Sequence, residues 1–224
     1  MNRRTACALV VGAFITACGK KKVAVVAPVP RPRPVAPPVP VPAGTTERGM
    51  ASWYGHPYHG RPAADGEIYD MEKLVAAHRT LPFQTRVRVR FLATDKAVEV
   101  RIIDRGPFVG GRIIDLSHAA AQAIGLIGPG TGEVELTVLE APVSDVAARF
   151  GVQIGAFRDK ANADRLQQSM TVTYGAAKLA LRSGDPPLWR VLVGRAPTIA
   201  DAEALAIRVR AEQKVPQAFV VRLD

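Results

Sequence analysis

Shifted by 39 residues, the last third of this 224-residue sequence aligns with itself without a gap. Val152, Ile154 and Gly155 fall on Val191, Val193 and Gly194; Ala161, Ala163, Asp164 and Leu166 fall on Ala200, Ala202, Glu203 and Leu205. Each copy reads as an alternating strand, then a stretch of Ala/Leu periodicity, then a second strand at 178–181 or 218–222. Two βαβ halves constrain the chain strongly. They predict an α+β domain over 149–224, ferredoxin-like, with two helices on one face of an antiparallel sheet. RNA-recognition modules share that architecture, so the fold leaves function open. Their aromatic-rich sheet motif is missing here, which argues against RNA.

Charge argues the same way. The formal charge is +10, but residues 47–224 carry 23 basic against 20 acidic side chains. Most of the excess lies in the first 46 residues, in Arg3, Arg4, Lys20, Lys21, Lys22, Arg31 and Arg33. A polyanion-wrapping surface needs many phosphate contacts on a folded face, so no nucleic-acid partner is expected. Both cysteines, Cys7 and Cys18, precede the body of the chain, which excludes a disulfide framework or thiolate metal site there.

Residues 1–17 read as a secretory signal: Arg3 and Arg4, then an apolar run over 6–15 too short for a permanent span. The end of that run, Ile15-Thr16-Ala17-Cys18, resembles a bacterial lipobox. The resemblance implies cleavage before Cys18, acylation of Cys18, and anchoring in a membrane by acyl chains rather than a helix. Gly19 rather than Asp at the next position implies the outer membrane. Residues 18–46 form a tether: 23–46 hold 8 of the 18 prolines, which leave too few N–H donors for a helix or ladder. As polyproline II this stretch would reach roughly 75 Å.

Residues 47–141 read as a mainly β domain. A strand is expected over 50–55, strict alternation marks Arg86-Val87-Arg88-Val89-Arg90-Phe91, and 97–103 alternates after the turn Thr94-Asp95-Lys96. Ser117 is an N-cap candidate for a short helix that Gly125 ends, and a last strand covers 133–139. Short strands with one short helix predict a small closed barrel. Its ionisable residues gather in connections: Glu67 and Asp70 in a polar stretch, His78 after a short apolar segment, Asp104 after the alternating strand, Asp115 after Ile113-Ile114. Acids converging at a barrel rim suit glycosidic chemistry, which needs a proton donor at the leaving oxygen and stabilisation of a cationic sugar. Glu67 is the expected donor, given apolar neighbours such as Trp53, Tyr54 or Tyr58 to raise its pKa. Each residue also has a plainer reading: Glu67 a solvated loop acid, Asp104 a turn former or partner of Arg105, Asp115 a helix cap, His78 a structural histidine. His56, His59 and His78 have a spacing that zinc can use, but nothing supplies a clear second shell, and neither metal nor cofactor is expected.

These motifs carry a resemblance. Gly49-Met50-Ala51-Ser52-Trp53-Tyr54-Gly55, Asp65-Gly66-Glu67-Ile68-Tyr69-Asp70-Met71, Ala76-Ala77-His78-Arg79-Thr80-Leu81-Pro82, Asp104-Arg105-Gly106-Pro107-Phe108 and Gly111-Arg112-Ile113-Ile114-Asp115-Leu116-Ser117 closely resemble the rare lipoprotein A family. The resemblance implies a double-psi β-barrel and a lytic transglycosylase that cuts peptidoglycan strands stripped of their stem peptides. By motif position it places catalytic roles on Glu67, Asp70, His78 and Asp104, with Trp53, Tyr54, Arg105 and Asp115 as substrate-binding neighbours. The sequence departs from the family at three places: Ala63-Ala64-Asp65-Gly66 replaces a Thr-Ala-Asn/Ser-Gly lead-in and bears on substrate positioning, while Gln84, where glycine is common, and Thr94-Asp95-Lys96, in place of an Asn-Gly turn, touch turns only. In the last domain, Val152-Gln153-Ile154-Gly155-Ala156-Phe157 and Trp189-Arg190-Val191-Leu192-Val193-Gly194 resemble a SPOR domain. That implies binding of denuded septal glycan, with Gln153 and Trp189 on the ligand-facing sheet.

Together these readings predict an outer-membrane lipoprotein facing the periplasm and enriched at the division septum. Its partners would be denuded glycan strands and divisome proteins. It would cleave the β-1,4 bond between N-acetylmuramic acid and N-acetylglucosamine, leaving a 1,6-anhydro end. The rival expectation is a non-catalytic peptidoglycan-binding lipoprotein whose barrel only grips glycan.

Overall fold

The computed structural model describes residues 41–142, 148–182, 186–215 and 217–223. The signal, Cys18 and the tether up to residue 40 lie outside the described residues. Six strands close a barrel in the order β1-β5-β2-β4-β3-β6: β1 Thr46–Tyr54, β2 Val75–His78, β3 Arg86–Phe91, β4 Ala97–Asp104, β5 Arg112–Ser117 and β6 Thr131–Glu140. Two pairings are parallel, β1 with β5 and β2 with β4; the others are antiparallel.

The alternation in β3 and β4 does what it predicts. Val87, Val89, Val98, Val100 and Ile102 point into the barrel. The outward side chains pair across strands, Arg86 and Arg88 with Glu99, Arg48 and Arg90 with Glu135. Such exposed pairs add little stability each, but like charges in their place would disfavour the register. At the end of β4 the alternation stops: Ile102, Ile103 and Asp104 are all buried, because Ile103 packs outside the barrel against Tyr69 and Val75.

The helix α1 (His118–Ile124) plugs one barrel end with Ala120, Ala121 and Ile124. Ser117 caps it, its hydroxyl accepting from the N–H of Ala120, and Gly125 ends it at φ 80°. Both unusual turns carry the backbone that glycine or asparagine would adopt without cost: Gln84 has φ 67° and Asp95 φ 56°.

The second domain follows the repeat: β7 Phe150–Phe157, α2 Lys160–Tyr174, β8 Ala177–Arg182, β9 Leu188–Ala196, α3 Ile199–Gln213 and β10 Phe219–Arg222. Its antiparallel sheet runs β10-β7-β9-β8. Val152, Ile154, Val191, Val193 and Val220 face the helices and pack on Ala163, Ala202 and Ala206. The opposite face lies against the barrel. Phe219 meets Phe108 edge-on at 6.1 Å, Arg79 lies over Phe219 at 5.7 Å, and the N–H of Arg222 donates to the carbonyl of Arg79 at 2.9 Å.

Candidate active site

The site is built by the strand order β5-β2-β4. Ala77 of β2 pairs with Asp115 of β5 on one side and Asp104 of β4 on the other. Two strand spacings separate the acids, so their Cα atoms lie roughly 10 Å apart, with only a methyl group between them. All three line a cleft of about 370 Å³, walled by Trp53, Tyr54, Tyr58 and Phe108 and edged by Arg105 and Arg112.

Both acids are desolvated. Asp104 is buried at the strand end, its Oδ1 accepting from the N–H of Arg105 at 2.8 Å and of Ala64 at 3.1 Å. Burial pushes its carboxyl above the usual range; Arg182, those two N–H groups and Arg190 pull it part of the way back. Burial also raises Asp115, against a bond from the Ser52 hydroxyl to its Oδ1 at 2.5 Å and the guanidinium of Arg112 at 3.6 Å. The charge of Asp104 further raises Asp115. Tyr54 stacks on Tyr69 at 4.3 Å, and its hydroxyl is pushed far up by burial beside Asp104. The tyrosine therefore stays a neutral donor.

Glu67 departs from expectation. Its carboxylate is half-exposed and gripped by the Arg101 fork, Nη1 to Oε1 at 2.6 Å and Nη2 to Oε2 at 2.9 Å, with the Gln84 amide adding a bond at 3.1 Å. The apolar neighbours required for a raised pKa are replaced by Arg101 and Gln84, whose hydrogen bonds hold the carboxyl down to about 2. Asp70 folds its own loop, accepting from the N–H of Glu72 at 3.0 Å, with His59 at 3.7 Å. His78 is buried, but its ring turns away from the cleft acids. Nδ1 accepts from the N–H groups of Thr80 and Leu81 at 3.2 and 3.1 Å, and Nε2 meets Glu47 at 3.3 Å. His56 and His59 touch edge-on at 5.7 Å on a different connection from His78, so the three imidazoles do not converge.

Trp53 lies edge-on to His118 at 5.5 Å and Arg105 joins the cleft rim. Trp189 is a correction. It shares strand parity with Val191 and Val193, and packs with them on the helix side rather than on the ligand-facing side. Gln153 does stand on the other face, buried, with its Oε1 unpartnered among the described residues. Sequence reasoning missed Ser52, Ala77 and Arg112, and it missed Arg182 and Arg190, which reach the barrel from the second domain. The signal for Ser52 and Arg112 lay inside the quoted motifs; for the two arginines it lay in strand parity.

Comparison with known proteins gives two family matches in the observed order: a lytic transglycolase model over residues 46–136 and a SPOR domain model over residues 147–222. A probable endolytic peptidoglycan transglycosylase RlpA of Synechocystis is 55% identical over 92 residues, 41% of this chain and 29% of that protein. The endolytic peptidoglycan transglycosylase RlpA of Vibrio cholerae is 51% identical over 98 residues, 44% of this chain and 37% of that protein. The chain thus spans about a third of the length of these curated relatives. Among solved structures, an expansin of Clavibacter michiganensis aligns with TM-score 0.35 at 19% identity, over 51% of this chain and 59% of that one. Residues 46–136 thus form a double-psi β-barrel of the lytic transglycolase family and residues 147–222 a SPOR domain, and over the barrel the chain is about half-identical to the RlpA proteins.

Proposed function

We propose that the barrel is an endolytic peptidoglycan lytic transglycosylase acting on glycan strands freed of their stem peptides. The observation that carries this reading is the pair of desolvated acids, Asp104 and Asp115, flanking Ala77 in an aromatic-walled cleft. A carboxyl raised by burial keeps its proton to higher pH than an exposed one and is suited to general-acid work. Asp104 donates that proton to the bridging oxygen as the glycosidic C–O bond breaks. Asp115, held by Ser52 and Arg112, stabilises the cationic sugar. The 6-hydroxyl oxygen of the muramoyl residue then bonds to its own C1, and its proton returns to Asp104. Water is not consumed, and one carboxyl serves as acid and then base. Glu67, Asp70 and His78 hold the loops around the cleft, and Trp53, Tyr54 and Arg105 line the sugar path.

The relatives' names support the reaction class, and the SPOR domain supports a role in which the second half holds the enzyme on septal glycan. The lipobox-like Ile15-Thr16-Ala17-Cys18 supports an outer-membrane anchor on Cys18. The ion-paired, solvated Glu67 favours a second reading, a barrel that grips glycan without cutting it. Mass spectrometry of peptide-stripped glycan incubated with the protein separates them. Anhydro-ended products carry the proposal; reducing ends indicate hydrolysis; uncut strands that still co-sediment indicate a binding protein.

A further inference from the structure

Strand parity puts Arg182, Arg190, Leu192 and Gln153 on the sheet face turned away from the helices. Arg182 lies over the Tyr58 ring at 5.0 Å and Arg190 over Phe108 at 5.7 Å, so the barrel's aromatic rings back both guanidinium groups. Both arginines border a cavity of about 160 Å³ with Tyr58, Tyr69 and Asp104. Tyr54, Tyr58, Asp104 and Arg182 also line the catalytic cleft, so cavity and cleft are continuous.

The charges here do not balance. Among the described residues neither arginine has a carboxylate within ion-pair distance, and the buried Nε of Arg190 has no hydrogen-bond partner. Burial lowers the Arg190 guanidinium, the nearby Arg182 lowers it further, and Asp104 is the one carboxylate that opposes them. That carboxylate is itself driven toward its neutral form. Two positive charges with at most one negative, around a space with room for a carboxylate, call for an anion. The planar fork of arginine binds carboxylates in two-point fashion.

We propose that Arg182 and Arg190 of the SPOR domain form, beside Asp104, a subsite for the free lactyl carboxylate of a peptide-stripped muramoyl residue. The second domain then takes part in choosing what the barrel cuts. In a strand that keeps its stem peptides this carboxyl is tied up as an amide and has lost its charge. Selection for stripped glycan thus follows from charge at one place. This inference rests on the proposed function, since it assumes glycan in the cleft.

The test compares the full chain on two probes: peptide-stripped glycan, and the same glycan with its lactyl carboxyls converted to methyl amides. Co-sedimentation and mass-spectrometric turnover are read in parallel. The wild type should bind and cut the free-acid glycan at least about tenfold better, the scale of a charge-assisted contact. R182Q/R190Q should show a raised KM on the free acid and lose the discrimination, and R182K/R190K should restore part of it. A wild type indifferent to amidation overturns the proposal without need of any variant, so a misfolded variant cannot shield it. A folded R182Q/R190Q that keeps the wild-type ratio overturns it too. If neither glycan is cut but sedimentation still depends on the free carboxyl, the catalytic reading falls and the subsite stands.

Discussion

His78 shows how a buried histidine among candidate catalytic groups can act through architecture. Its Nδ1 takes two backbone N–H groups, those of Thr80 and Leu81, and its Nε2–H points to Glu47. The ring is therefore neutral with the proton on Nε2, and burial holds its pKa below 6.5. The carbonyls of His78 and Leu81 in turn receive the Arg105 guanidinium at 3.4 and 3.0 Å, and the Arg105 N–H bonds Asp104. In His78→Ala two N–H groups lose their acceptor and the ring's space empties, which should cost roughly 3–5 kcal/mol. In His78→Asn the amide oxygen stands close to where Nδ1 stood and keeps both bonds. Only the contact to half-exposed Glu47 is lost, at about 1–2 kcal/mol. Urea unfolding at pH 7.5 should therefore rank wild type above Asn above Ala, and cleavage should survive in Asn and fail in Ala. Acid supplies a second arm. Below pH 6.5 the unfolded imidazole gains a proton that the folded one resists, so stability should fall with pH by at most about 1.4 kcal/mol per unit. Asp104 and Asp115 act oppositely, because the folded state protonates them before the unfolded state does. Subtracting the His78→Asn curve isolates the histidine. Equal costs for Ala and Asn, or a difference curve flat below pH 6.5, would refute the bracing argument. A stable His78→Asn that is inactive would mean that the imidazole does chemistry.

Ala77→Leu adds three carbons between Asp104 and Asp115 and should abolish cleavage of stripped glycan while the circular dichroism stays native; full activity would show that the cleft is not the sugar path. Asp104→Asn should lower the rate by about 10²–10⁴, the usual contribution of a proton donor, whereas Glu67→Gln should cost less, because a carboxyl held near 2 has no proton to give; the reverse order in a turnover assay would return the donor role to Glu67. Activity that needs a protonated Asp104 must decline as pH rises through its elevated pKa. Since Arg182 pulls that pKa down, Arg182→Gln should shift the alkaline limb of the pH–rate profile upward, and a downward shift would contradict the assignment.

Much of the fold was legible because its signals are local. The Arg-Val alternation of β3, the Ser117 cap and the 39-residue repeat each report on neighbours in sequence. Strands β2 and β5 were not legible as strands. All four residues of β2 are buried, and β5 buries both Ile113 and Ile114, so neither shows a wet face from which alternation can be read. Yet these two strands set the site, since the meeting of Asp104 with Asp115 follows from both pairing with Ala77. The motif positions pointed to Glu67, but its pKa depends on Arg101 and Gln84, 34 and 17 residues away. Trp189 was open to a stricter reading: it has the parity of Val191 and Val193, which belong to the core between sheet and helices, and Arg190 has the parity of the face toward the barrel. The same rule that moves the tryptophan inward moves the arginine outward. The face that lies against the barrel buries Gln153 and Arg190 with polar atoms that have no partner among the described residues, which is costly unless a polar group meets them. An anionic group beside Arg182 and Arg190 would supply that partner, and it would link the second domain to the chemistry proposed for the first.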